Sequence, residues 1–421
     1  WPLRGLSLGL LLLGPAGAFH TPYRPEQSRH FDVTKSSTFS PITSKVFDLH
    51  YADGSHLKGF NGLDQVWLGD YKCTAPFGVI TDCNSPDFNG VDGILGFGLP
   101  KAGMEGRELP TPILFAMTDQ ENKHSNARDL TRKFSFFSTD TDAEVQLGGY
   151  DPSTTVGEMW YTPCLSETDF IVGVTSVRFG HDFDASKELL HFSEPDSGQY
   201  LPAIMDSGTS CLVIPDSTMS GLLKESPYDK WKGIVGDTKQ PKVKDTFHLN
   251  IAGAEFDIAY DDWYLTLSNQ SCVQKAPEGF GGILVGDVLF RRYVVLFDLR
   301  HYPESVVIGI GKQNPGYVPA KKHHAIAKVP AYKRKPVNIS DSAPPRYKAP
   351  MARDKVPIWN QEETQYFINL TLGTPRQHFT VIFDTGSSVF GIFSRCIPNA
   401  PSYGTCVFGG GAAGGGGMLI E

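Results

Sequence analysis

Short apolar runs, broken every few residues by Gly, Pro, Asn or Asp, alternate with polar positions from about residue 28 to 150 and again from 151 to 311. That rhythm predicts short strands joined by turns. Two runs end in one polar signature. Val381-Ile382-Phe383 leads into Asp384-Thr385-Gly386-Ser387-Ser388, and Ala203-Ile204-Met205 leads into Asp206-Ser207-Gly208-Thr209-Ser210. The apolar residues predict a buried strand, and the Gly after each Asp permits the sharp turn that brings a carboxylate to the strand end.

Three other stretches have a different texture. Residues 1–27 open with a Leu-rich run and a small-residue segment, Gly14-Pro15-Ala16-Gly17-Ala18. They are read as a secretory signal or a non-homologous extension, too short for a stable membrane span. Residues 312–356 carry many Lys and Arg among Pro, including Lys333, Arg334 and Lys335, which is the composition of a linker. The Gly-rich tail, 409–421, lacks the Lys-Ser/Thr ending of a phosphate-binding loop.

Composition narrows the class. With 421 residues, 40% hydrophobic and 12% aromatic, the chain is long enough for two cores, and its many Gly and Pro suit a turn-rich β protein. The formal charge of −8 argues against nucleic acid as a main partner. No Cys or His set has the spacing of a zinc site, and His323-His324 is read as a solvated pair, so neither metal nor cofactor is expected.

Two Asp turns that face each other supply a definite chemistry. Carboxylates held that close cannot both ionise; they share a proton, so one is base while the other is acid, and together they activate a water.

These motifs resemble those of the pepsin-like aspartic endopeptidases. Tyr366 to Gln377 leading into Asp384-Thr385-Gly386 is similar to the family's first strands and first catalytic turn, and Tyr51-Ala52-Asp53-Gly54-Ser55 to its flap hairpin. Asp92-Gly93-Ile94-Leu95-Gly96 and Ile283-Leu284-Val285-Gly286-Asp287 resemble the apolar-apolar-Gly strands behind the two turns, and the stretch from Gly148 to Pro163 resembles the passage between lobes. The resemblance implies an all-β, bilobed fold with the active site between two β-rich lobes. It further implies catalysis by Asp384 and Asp206, supported by Thr385, Gly386, Ser387, Ser207, Gly208 and Thr209. Tyr51, Asp53 and Gly54 would form a flap over extended protein or peptide substrates. The resemblance also implies activity at acidic pH, no cofactor, a monomer, and a secreted or lysosomal, acidic location.

The motif order is cyclically rotated, because the first catalytic turn lies in residues 357–408 instead of before the flap. A circular permutant, the junction of two tandem units and a misassembled coding sequence all fit that order. In the permutant, residues 28–150 make most of the amino-terminal lobe, 151–311 the carboxyl-terminal lobe, and 357–408 the strands that complete the first lobe. The basic 312–356 stretch then also resembles a pro-segment.

Departures from the family pattern shape the remaining expectations. Gly391 stands where the family has a Trp supporting the flap, which predicts a looser flap. Cys396 and Cys406 lie where the family has a small disulfide loop, Cys73 and Cys83 could staple a hairpin, and Cys272 has Cys211 or Cys164 as partner, one thiol being left over. Asn269, Asn338 and Asn369 begin glycosylation sequons, relevant if the chain is secreted. Two rival functions follow: a catalytically impaired peptide-binding module or tandem fragment, suggested by the rotated order and Gly391, and a glycoside hydrolase using the same carboxylates, disfavoured by the hydroxyl-Gly context of both Asp.

Overall fold

The computed structural model describes residues 29–51, 55–84, 88, 90–101, 109–140, 142–191, 200–216, 225–266, 268–277, 280–319, 324–325, 354–361 and 365–394. The fold is all-β and bilobed, with one sheet running through the first lobe into the region between lobes and a second sheet in the other lobe.

The long first sheet explains where the late strands go. Gly93–Gly96 pairs parallel with Gln377–Asp384 on one side and antiparallel with Phe390–Phe393 on the other. Phe390–Phe393 in turn lies parallel to Tyr71–Cys83. Residues 365–394 therefore supply strands that sit among those built from residues 40–96. A backbone bridge from Phe31 to Ser394 closes the seam, with the Phe31 amide donating to the Phe393 carbonyl at 2.7 Å.

Packing follows the pairing. Phe31, Phe77, Phe379 and Phe390 are all buried, and Phe31 meets Phe77 and Phe379 edge-on at 5.7 and 6.1 Å while Phe77 meets Phe390 at 5.5 Å. Burying each such ring contributes about 1.5–3 kcal/mol. The first core is complete only when both ends of the described chain are in it.

Between the lobes the same sheet continues through Asp354–Gln361, Asp142–Leu147, Lys133–Ser138, Tyr293–His301, Ser305–Lys312 and Trp160–Pro163. Within it Lys133 and Asp298 form a buried ion pair at 2.8 Å, and burial pushes the Lys133 ammonium down to about 8 despite the Asp298 carboxylate. The Asp354–Gln361 strand begins inside the stretch read from composition as a linker. Lys355 is a fixed member of this strand, bonded to the Asp151 carboxylate and to Tyr317 Oη at 2.7 Å. The stretch whose composition signalled a linker runs to residue 356, yet Val356 already sits in the strand, opposite Val145.

The second lobe is a sheet ordered Ala254–Ile258, Thr246–Ile251, Ile171–Gly180, Leu201–Met205, Ile283–Val285, Leu212–Ile214 and Val273–Lys275. A helix, Pro227–Val235, covers its core. Pro at the first turn, Ser226 Oγ accepting the Asp229 amide at 3.1 Å, and Gly236 at φ +77° mark its two ends. It buries Trp231 edge-on to Trp263 at 5.9 Å.

A disulfide joins Cys211 to Cys272 beneath this lobe, one of the two pairings open to Cys272 in the sequence. The Cys73–Cys83 staple is not formed; both are thiols. They lie ten residues apart on one strand, Tyr71–Cys83. At about 3.3 Å per residue that is far beyond the roughly 7 Å a disulfide spans. Cys164 is also a thiol, its Sγ donating to the Ser166 and Asp169 carbonyls. Cys396, Cys406, Asn338 and the signal-like, Gly-rich and most linker residues lie outside the described residues, whereas Asn269 and Asn369 lie within them.

Candidate active site

Each Asp turn is built by a strand, a Gly and a crossing strand. Leu201–Met205 runs parallel to Ile283–Val285, and Gln377–Asp384 runs parallel to Gly93–Gly96. Behind the first turn, the Gly96 amide donates to the Val389 carbonyl and the Gly98 amide to Ser387. Behind the second, the Asp287 amide donates to the Thr209 carbonyl at 2.8 Å. A Cβ on Gly96 or Gly286 would strike backbone of the turn it supports, so the close approach requires glycine at both. Phe383 stacks on Phe136 at 5.4 Å and leans on Phe97 at 5.0 Å, which fixes the strand just before Asp384.

The two turns meet. Asp206 and Asp384 are both fully buried. Asp206 Oδ1 accepts the Gly208 amide at 2.8 Å and Asp384 Oδ1 accepts the Gly386 amide at 2.8 Å. A Cβ on Gly386 would collide with the Asp206 carboxyl, and one on Gly208 would come within 2.5 Å of Asp384 Oδ1. Each glycine thus clears space for the other turn's carboxylate.

Hydroxyls tie the loops reciprocally. The Ser207 amide donates to Thr385 Oγ1 at 2.8 Å, the Thr385 amide donates to Ser207 Oγ at 3.1 Å, and Thr385 Oγ1 donates to the Met205 carbonyl at 3.2 Å. Thr209 Oγ1 donates to Asp206 Oδ2 at 2.7 Å. The matching contact on the other side is not made: among the described residues neither Ser387 Oγ nor Asp384 Oδ2 has a hydrogen-bond partner. The carboxyls are therefore inequivalent.

Electrostatics follow from this arrangement. Burial first, and the Asp384 charge second, hold the Asp206 carboxyl well above the usual carboxylate range, against the lowering bonds from Thr209 and Gly208. A carboxyl raised in this way holds its proton above the usual carboxylate range.

The expected flap residues are only partly visible. Tyr51 is buried at the end of the Ser40–His50 strand, its amide donating to the Ser55 carbonyl at 2.9 Å and its ring 5.8 Å from Phe88. Asp53 and Gly54 lie outside the described residues. Gly391 pairs with Gly78 across the sheet, and the Phe47 ring fills the room that a Cβ on Gly78 would take. A Cβ on Gly391 itself would lie 2.9 Å from Ile80 Cδ1, so the site is packed by neighbours where the family carries an indole.

One structural residue escaped the sequence reading. Asp92 accepts the Arg29 amide at 2.6 Å and the Thr380 amide at 2.7 Å, pinning the seam from both directions. Its signal was its place beside Gly93 in a motif valued for the glycines.

Comparison with known proteins agrees with this geometry. The chain is 28% identical to pepsin A of Gallus gallus over 287 residues, covering 64% of this chain and 70% of that one. It is 26% identical to aspartic proteinase yapsin-3 of Saccharomyces cerevisiae over 331 residues, 72% of this chain and 62% of the other. It is 27% identical to vacuolar protease A of Neurospora crassa over 287 residues, 64% and 65% respectively. The family described as eukaryotic aspartyl protease matches residues 21–307 and 365–407, which is most of the chain. The chain belongs to the eukaryotic aspartyl protease family, hydrolases of the aspartic endopeptidase class.

Proposed function

We propose that this chain closes on itself as one bilobed protease that cuts extended polypeptides at acidic pH. A water held between Asp384 and Asp206 gives a proton to the ionised member and attacks the scissile carbonyl, while the protonated member donates to the carbonyl oxygen. The observation that carries this reading is the reciprocal clearance of Gly386 and Gly208 for the opposite carboxylates. Thr209 favours charge on Asp206 through its hydroxyl, whereas burial and Asp384 oppose it, so the proton balance sits within the pair.

Tyr51, with Asp53 and Gly54, forms the hairpin that covers bound peptide. Residues 28–150 with 357–408 make the first lobe and 151–311 the second. The enzyme acts as a monomer in a secreted or vacuole-like acidic compartment, with Asn269 and Asn369 available for glycosylation. The relatives named for a vacuole and for pepsin support such a setting.

Cleavage of a denatured protein by purified monomer at acidic pH tests the reading, alongside Asp384→Asn and Asp206→Asn. Loss of cleavage in both variants supports one shared site; equal cleavage by either variant overturns it. Gly391 favours a second reading, a protease-like module that holds peptide without cutting it. Saturable peptide binding by folded wild type with no product would select that reading.

A further inference from the structure

The hairpin formed by Ser40–His50 and His56–Leu68 brings together three groups that the sequence keeps apart. His50 lies directly opposite His56 in the antiparallel register, and Asp48 is two positions back on the same face. The imidazole rings stack at 3.7 Å between centroids with 22° between planes. Both Nε2 atoms converge on one carboxylate oxygen, Asp48 Oδ1, at 3.1 Å from His50 and 2.7 Å from His56. All three donor atoms lie within 4.8 Å of one another.

From this geometry we propose a binding site for a divalent transition cation of the zinc type, held by His50 Nε2, His56 Nε2 and Asp48 Oδ1. A tetrahedral cation with ligand bonds of about 2.0–2.2 Å sets its ligand atoms about 3.3 Å apart. The Asp48–His50 separation of 3.1 Å is near that edge, and the Asp48–His56 separation of 2.7 Å must open by about 0.6 Å. Because two stacked ring planes cannot both aim an Nε2 lone pair at one ion, the half-exposed His50 ring must also turn out of the stack to bind. Two imidazoles and a single carboxylate oxygen suit zinc, cobalt, nickel or copper; calcium and magnesium need more oxygen donors. The fourth position is left to water or an incoming ligand. A second cluster, His248 with Glu255 and Asp257, offers one imidazole and two carboxylates and is the weaker candidate.

The site bridges two strands, so its occupation clamps the hairpin that carries Tyr51. Spacing concealed it: Asp-x-His followed six residues later by a second His resembles no zinc pattern, and only cross-strand pairing makes the set.

The test uses the full chain at neutral pH with Co²⁺ as probe, which needs no proteolysis and so stands or falls apart from the catalytic reading. A saturable visible absorption band at one cobalt per chain is expected, weakened at least ten-fold in His56→Ala and lost in His50→Ala/His56→Ala, with His248→Ala unchanged. Both hairpin variants are checked for wild-type thermal unfolding without metal. Cobalt should also slow amide exchange of the hairpin in the wild type. A band that survives the double variant, a thiolate charge-transfer band assigning the metal to a cysteine, or unchanged hairpin exchange in metal-loaded wild type would overturn the proposal.

Discussion

Thr385 and Ser207 each accept the other's backbone amide in their side-chain oxygens, at 2.8 and 3.1 Å, across the line where the two Asp turns meet. Both are buried, so neither amide has water as a substitute.

Removing one hydroxyl therefore orphans a buried donor. Thr385→Ala should lower the unfolding free energy by about 1–3 kcal/mol, with a larger loss in cleavage because the two carboxyls are no longer held in register. Ser207→Thr keeps the oxygen and should cost much less. Urea denaturation with paired kinetics reads both effects.

The raised carboxyl of Asp206 makes stability depend on pH. A group whose folded pKa exceeds its unfolded value of about 3.9 binds more protons when folded, so stability is greatest below that value and falls as pH rises towards the folded pKa. Asp206→Asn should flatten that decline, leaving the variant inactive yet more stable than wild type at neutral pH. Thermal melts of both proteins across the acid-to-neutral range measure it; parallel curves would contradict the assignment.

The Cys211–Cys272 bridge spans 61 positions and ties the strand after the second Asp turn to the strand beside it. Closing a loop of that length stabilises the fold by up to about 4 kcal/mol on a chain-entropy basis. Cys211→Ala/Cys272→Ala should lose about 2–4 kcal/mol in a denaturation midpoint experiment while retaining the Asp turns.

Gly391 is committed to a tight position. Gly391→Trp must displace Ile80, so it should destabilise by about 1–3 kcal/mol instead of tightening the hairpin. Adding Ile80→Ala should recover part of the lost melting temperature. If the single variant melts as wild type and gains kcat/KM, the packing account fails.

Much of the site was readable because its demands are local. An apolar run, an Asp, a hydroxyl and a Gly are dictated by strand burial, turn geometry and the clearance each Gly gives, so Asp206 and Asp384 stood out together. Thr385 and Ser207 were named beside those Asp as supporting residues, and each accepts the other's backbone amide. What spacing could not carry was cross-strand register. It hid the meeting of Asp48, His50 and His56, and a ten-residue interval at Cys73 and Cys83 suggested a hairpin where one continuous strand runs. Lys355 was misjudged for a related reason: composition averages a stretch, whereas its ammonium has particular partners in Asp151 and Tyr317.

The placement of Gly93–Gly96 bears on how the molecule is made. Both of its neighbours in the sheet come from residues 377–393, and Thr380 reaches Asp92 across 288 positions of chain. The second lobe's sheet draws all its strands from residues 171–285. On a ribosome, where domains assemble as their segments emerge, the second lobe can finish while the first still lacks its centre. The lobe whose strands come earlier in this chain is thus completed after the one whose strands come later, and until then those early strands leave an open, apolar sheet edge.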